Sequence, residues 1–150
     1  MKYCQTMSLK GSRLWDSLPI PPPSPPISLY SLLSFCLSYA HSLPPSLYVF
    51  RLDQESGQMT LLSVTDVCEN PAFLRFHPHL NVLYACTESM TKSDDIIALS
   101  ISPITGELRH IGKVSTQGMS TCYITVDRRC RNLLFANYWD STLGVRGGEG

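Results

Sequence analysis

The sequence predicts an all-β chain, part of a β-propeller of about two blades, preceded by a segment without defined structure. Three observations predict it. Strand-like apolar runs recur at short spacing after Leu47, each bounded by Gly, Pro, Asn or Asp. No stretch sustains a 3.6-residue apolar period, so helices should be nearly absent. The region also repeats itself at an interval of 49–50 residues, the length of a four-stranded blade.

The runs are Tyr48–Leu52, Met59–Val64, Phe73–Phe76, Val82–Thr87, Ile96–Ile101, Leu108–Val114, Cys122–Val126 and Leu133–Tyr138. Tyr48 to Thr60 aligns with Ile97 to Arg109, and Asn81 to Thr87 aligns with Arg131 to Asn137. Gly57 and Gly106 fall at the same place in two hairpins, where a positive φ is expected. The runs that open a period, Phe73–Phe76 and Cys122–Val126, are placed innermost, beside the central channel. Val82–Thr87 and Leu133–Tyr138 come second, Ile96–Ile101 third, and Leu108–Val114 on the rim. By the same register Tyr48–Leu52 and Met59–Val64 are third and fourth strands of the blade that closes the ring. The chain is thus expected to hold half of that blade, one complete blade, and the inner half of the next.

The first 46 residues differ in character. From Ser17 to Phe50 there is no Asp, Glu, Lys or Arg, and Pro19, Pro21, Pro22, Pro23, Pro25, Pro26, Pro44 and Pro45 crowd into this stretch. Proline fixes φ and removes a donor, so Pro19–Pro26 reads as a polyproline-like segment. Ile27–Ala40 has fourteen residues, short of the ~20 that cross a bilayer. A leader reading is weak, because a proline block separates this apolar run from Lys2, Lys10 and Arg13. The expected organisation is 1–46 unstructured, 47–144 propeller, and 145–150 a disordered tail.

Composition narrows the function classes. Lys+Arg and Asp+Glu are both 12, giving a formal net charge of zero and a pI near 6.9. No basic excess attracts a phosphate backbone or an anionic membrane, so no nucleic-acid or membrane partner is expected. The six cysteines (Cys4, Cys36, Cys68, Cys86, Cys122, Cys130) form no C-x-x-C pair and no zinc-finger spacing. Cys86 and Cys122 sit in apolar runs, which predicts buried free thiols in a reducing, cytoplasmic setting.

Tyr48–Leu62, Asn70-Pro-Ala-Phe-Leu-Arg-Phe-His-Pro78, Leu83-Tyr-Ala-Cys-Thr-Glu88, Gly118 to Asp127 and Asn137-Tyr138 together resemble the opening of the lactonase family, also called the cycloisomerase 2 family. Order and spacing agree as well as residues. The resemblance implies a seven-bladed propeller and an activity like that of bacterial 6-phosphogluconolactonases, hydrolysis of a sugar lactone without metal or organic cofactor. The alternatives are cycloisomerisation of the carboxymuconate cyclase type and a non-catalytic binding propeller, since fold does not fix function. Members often carry His where this sequence has Tyr123. The sequence leaves the pattern after Leu143, ending Gly144-Val-Arg-Gly-Gly-Glu-Gly where a third strand is expected. The chain therefore reads as a fragment, inactive alone and prone to self-associate through unpaired strand edges.

Loops entering innermost strands and leaving second strands open on one face of a propeller. That geometry gathers Asn70, Glu88, Thr121 to Tyr123, Asn137 and Tyr138 around the channel mouth. Glu88 is the candidate general base or water-orienting group for opening a lactone. Tyr123 and Tyr138 are candidate hydrogen-bond donors to the carbonyl oxygen, and Asn70 and Asn137 are candidate substrate-binding residues. His77-Pro78-His79 looks like a metal pair but aligns with Asp127-Arg128-Arg129, so a turn is the simpler reading and no metal site is assigned. Trp139-Asp140 matches the dipeptide of WD repeats, but the period is nearer 50 than 40–45, and the match is read as coincidence.

Overall fold

The structure, a computed structural model, describes residues 32–37, 46–53 and 55–147. Ten strands make up the described regular structure: β1 (Leu32–Leu37), β2 (Ser46–Leu52), β3 (Met59–Thr65), β4 (Pro71–Phe76), β5 (Val82–Thr87), β6 (Asp95–Ile101), β7 (Leu108–Ser115), β8 (Thr121–Val126), β9 (Asn132–Asn137) and β10 (Thr142–Gly147). All eight expected runs are strands, with ends displaced by two residues at most.

Three antiparallel sheets form in chain order, β1-β2-β3, β4-β5-β6-β7 and β8-β9-β10. The first strands of the second and third sheets, β4 and β8, lie against each other, as innermost strands of neighbouring blades do. This is a partial propeller with one complete blade between two incomplete ones.

The repeat extends to irregularities of the backbone. Register shifts fall between Pro71 and Phe73 in β4 and between Thr121 and Tyr123 in β8, so Ala72 and Cys122 occupy equivalent bulges. The shifts at Val49/Phe50 and Ala98/Leu99 are a second equivalent pair. Gly57 and Gly106 both have φ of +71°, in hairpin turns that an L side chain would strain.

Alternation along β5 and β6 builds the interior. Leu83, Ala85, Ile97, Leu99 and Ile101 pack against Leu47, Val49, Leu62 and Cys68 on the side of the first sheet. Val82, Tyr84, Cys86, Ile96 and Ala98 pack against Ile124, Leu133 and Phe135 on the side of the third. Both faces of the central blade are covered, which is why Val82 to Cys86 is buried without interruption.

Three expectations need correction. β1 lies inside the segment 1–46 read as unstructured, and pairs with β2 from Leu32↔Arg51 to Leu37↔Ser46. The edge of β2 offers unpaired backbone groups, and a charge-free stretch without proline can satisfy them. The polyproline reading of Pro19–Pro26 lies outside the described residues. β10 supplies the third strand expected to be missing, and carries the sheet past Gly144 to Gly147; residues 148–150 lie outside the described residues. Gly144 is what permits it, because a Cβ there would sit 2.1 Å from Phe135 Cζ. Cys122, expected to be buried, is exposed, since the bulge at that position turns it out of the core alternation.

A contrast between two leucines tests this account. Leu99→Ala should lower stability by about 2–5 kcal/mol, whereas Leu143→Ala, at a position 71% exposed, should change it by no more than about 0.5 kcal/mol. Urea unfolding followed by tryptophan fluorescence measures both.

Candidate functional site at the channel mouth

Because the strands alternate in direction, loops 66–70, 88–94, 116–120 and 138–141 gather at one end of the sheets. The turns 77–81, 102–107 and 127–131 lie at the other. The first set contains Asn70, Glu88 and Tyr138, as expected.

Ser120 links them. Its hydroxyl donates to Glu88 Oε1 at 2.9 Å, its carbonyl accepts the Tyr138 N–H at 2.9 Å, and its own N–H reaches the Ser89 carbonyl at 3.3 Å. Glu88 is also tied by its main chain, whose N–H donates to the Asn70 carbonyl at 2.9 Å. Asn70 and Ser120 take φ of 41° and 55°, a conformation in which Asn is among the better-tolerated residues. Neither the Asn70 side chain nor the Tyr138 ring is committed to the interior: Asn70 is exposed, and Tyr138, 70% exposed, rests edge-on against Trp139 with ring centres 5.9 Å apart.

Tyr123 is placed differently. It lies within β8 rather than in a loop, 46% exposed, with its ring 4.9 Å from that of Phe73 on β4. It therefore belongs to the wall formed by the first strands, below the loop cluster.

Asn137, expected as a substrate-binding residue, is buried in a polar network. Only 4% exposed, it accepts the Thr121 hydroxyl at 2.8 Å and donates to Thr142 Oγ1 at 3.0 Å and the Thr116 carbonyl at 3.5 Å. Its amide is spent on holding two loops and β10 together. An Asn at the end of a second strand reads equally well as loop support, and these hydrogen bonds are of that kind.

Sequence reasoning also missed Asp94. It is fully buried, and it carries most of the connections between loops 88–94 and 116–120. Its main chain donates to the Gly118 carbonyl at 2.8 Å and accepts the Thr116 N–H at 2.9 Å and hydroxyl at 3.1 Å. Its carboxylate Oδ2 accepts the Thr121 N–H at 2.6 Å. Burial pushes the Asp94 carboxyl above the ordinary range, the bond from Thr121 opposes the shift, and Glu88 nearby adds to it. The signal was weak: Asp94-Asp95 sits in a polar loop where both residues look solvated, and Asp95 does face Lys113 at 3.2 Å near the surface.

Among the described residues the opposite end has no comparable cluster. His77 Nδ1 accepts the N–H groups of His79 and Leu80 at 3.1 and 3.0 Å, and Asp127 Oδ1 accepts those of Arg131 and Asn132 at 2.7 and 2.9 Å. The two turns are chemically equivalent, as the alignment implies. Burial, then the neighbouring His79, holds the His77 imidazole below its ordinary pKa, as an acceptor nitrogen requires. Among the described residues no three His, Cys, Asp or Glu side chains converge as metal ligands would.

The arrangement offers a half-buried carboxylate oriented by a hydroxyl, exposed tyrosines, and a buried polar hub that fixes the loops carrying them.

Comparison with known proteins places the fold. The family profile described as lactonase, 7-bladed beta-propeller, matches residues 37–147. A 6-phosphogluconolactonase from Formosa agariphila is 31% identical over 98 residues, which cover 65% of this chain and 28% of that protein. The crystal structure of a provisionally assigned 6-phosphogluconolactonase from Bacteroides uniformis superposes with a TM-score of 0.70 at 28% identity, over 79% of this chain and 34% of its own. The periplasmic gluconolactonase of Pseudomonas aeruginosa shares the fold, with a TM-score of 0.62 at 23% identity over 77% of this chain and 38% of its own. The chain spans between about a quarter and two-fifths of the length of these relatives.

Two buried groups give opposite pH responses. The folded pKa of His77 is depressed, so its contribution to stability is complete above the unfolded value of about 6.5 and is lost as pH falls below it. The folded pKa of Asp94 is raised, so its contribution is complete below the unfolded value near 3.9 and is lost as pH rises through the folded pKa. Measured by urea unfolding, the advantage of wild type over Asp94→Asn should therefore grow from neutral pH toward about pH 4. The corresponding advantage over His77→Asn should shrink over the same interval.

Proposed function

The chain belongs to the lactonase family of seven-bladed β-propellers, and on that premise we propose that it contributes the opening blades of a 6-phosphogluconolactonase-like enzyme that hydrolyses a sugar lactone. The observation that carries the reading is the Glu88–Ser120 pair at the channel mouth. Ring opening of a lactone needs water delivered to an ester carbonyl and a donor for the oxygen that gains negative charge. Glu88 accepts a proton from the attacking water while Ser120 keeps its carboxylate turned toward the mouth. Tyr138, on the turn whose backbone bonds to Ser120, has a hydroxyl free to face the developing oxyanion. Water adds to the carbonyl carbon, the ring C–O bond breaks, the ring oxygen takes up a proton, and a hydroxy acid results. No redox step is involved.

This division of labour treats Glu88 and Tyr138 as catalytic and Ser120 and Asp94 as positioning residues. Tyr123 sits lower on the wall, where it meets the body of a ligand. Activity on this reading belongs to the closed ring, and the blades held here supply one side of its mouth.

A graft tests it. Residues 47–147 would replace the aligned segment of the Formosa agariphila relative, and hydrolysis of 6-phosphoglucono-δ-lactone would be followed by pH-stat. The grafted ring should turn over, Glu88→Gln should lower kcat by about 10²-fold or more, and Tyr138→Phe by about tenfold. A folded graft without turnover, or a Glu88→Gln graft as active as its parent, overturns the proposal. A folded graft that binds the lactone without opening it points to a binding propeller.

A further inference from the structure

The repeat of about 50 residues brings equivalent positions of consecutive blades face to face on the innermost strands. Phe73 and Tyr123 are one such pair, with ring centres 4.9 Å apart. Arg75 and Thr125 are the next pair along the same strands, and Arg75 Nη2 donates to Thr125 Oγ1 at 3.2 Å. Leu74 packs against the core shared with the first sheet and Ile124 lies in the core shared with the third, against which the partly buried Phe73 also rests. The wall between β4 and β8 thus carries an aromatic rung and, two residues deeper (about 6–7 Å along a strand), a polar one.

We infer that Arg75 binds an oxyanion on the channel wall, taking the phosphate or carboxylate of a ligand whose body rests against Phe73 and Tyr123. Arg75 is exposed although it stands on an innermost strand between two residues packed into the core. Among the described residues it forms no ion pair, the pairs there being Lys92–Glu69, Arg109–Glu107 and Lys113–Asp95. A guanidinium presents five N–H donors in a rigid fork. The bond to Thr125 uses one of them and fixes the plane, so the others are pre-oriented for a bidentate contact. An arginine needed only for solubility gains nothing from being held by a hydroxyl of the next blade. The lactone reading enters only in supplying the ligand's body; the oxyanion site stands on the geometry of the two rungs.

The test uses the 150-residue chain itself, labelled with ¹⁵N, following the arginine Nε–Hε signals by NMR at fixed ionic strength balanced with chloride. Sodium phosphate, gluconate and 6-phosphogluconate are the probes. The Arg75 signal should shift saturably with phosphate and 6-phosphogluconate, and Arg75→Gln should weaken both by about fivefold or more. Arg75→Lys should recover part of that loss, since charge remains without the fork, and Thr125→Val should weaken binding about twofold by releasing the guanidinium. Saturation by gluconate as well would identify carboxylate as a sufficient ligand, and its absence would assign the site to phosphate. A linear response indistinguishable from chloride, or saturation unchanged in a folded Arg75→Gln chain, overturns the inference. Turnover is not read here, so a catalytically dead grafted ring leaves this site intact, and an active one does not establish it.

Discussion

The described sheets depend on one among them that is buried on both faces. β5 and β6 send alternate side chains into two separate cores, one shared with β2 and β3, the other with β8 and β9. Neither flanking sheet has a second core of its own among the described residues, so each depends on the central blade for its burial. Each fully buried Leu or Ile there contributes on the order of 1.5–3 kcal/mol relative to exposure. The outward faces look different: Leu61, Val64 and Val145 are about half exposed, and Leu143 more so. In a stacked array that is where further blades add, because each unit covers its neighbour's face.

The same stacking sets where polar chemistry can occur. A blade interior leaves no room for unpaired polar groups, so the loops must carry them, and Asp94 is the point at which two blades' loops are joined. Its carboxylate is buried without a cationic partner among the described residues, a costly arrangement made tolerable by the short bond from the Thr121 N–H. Thr116, Thr121 and Asn137 extend the network to β10. Replacing such a cluster by apolar residues often costs little in stability. What would be lost here is register, since Asp94 fixes the loop that carries Ser120, and Ser120 fixes Glu88.

Most of the fold was legible in the sequence because a repeat announces itself twice. Gly57 and Gly106, or His77 and Asp127, each gain meaning from the partner one period away, and both pairs do the same work in the structure. β10 was not legible because it has no apolar signature of its own: it contains Gly144, Arg146 and Gly147, and a Cβ at Gly144 would collide with the Phe135 ring. β1 lies in an apolar run, but that run follows a proline block and stands outside the aligned repeat, so periodicity did not mark it as a strand. At the mouth, chain geometry placed Glu88 and Tyr138 at one end, but periodicity cannot say whether a polar residue points into a loop network or into solvent. For that reason Asp94 was passed over and Asn137 was read only as a residue facing the mouth.

The two carboxylates of the mouth show why that distinction matters. Glu88 and Asp94 lie at either end of one loop, close enough for Glu88 to raise the carboxyl of Asp94. Pairs of acids in unlike surroundings divide their tasks by environment. Asp94, sealed beneath the loops, is bound by backbone and cannot meet a ligand without the loops opening. Glu88 is only partly covered, and its contact with Ser120 is a single hydroxyl that can turn. The buried acid therefore holds the frame, while the partly covered one stands nearer the mouth. On the proposed reading, Arg75, further along the wall on β4, would separate the place where a ligand's charge is held from the place where its ester is attacked. That separation lets binding energy from the remote end of a ligand orient the reacting end. It also explains why a wall built from repeated positions carries arginine in one blade and threonine in the next. A second arginine at Thr125 would repel the first, whereas the hydroxyl holds it in place.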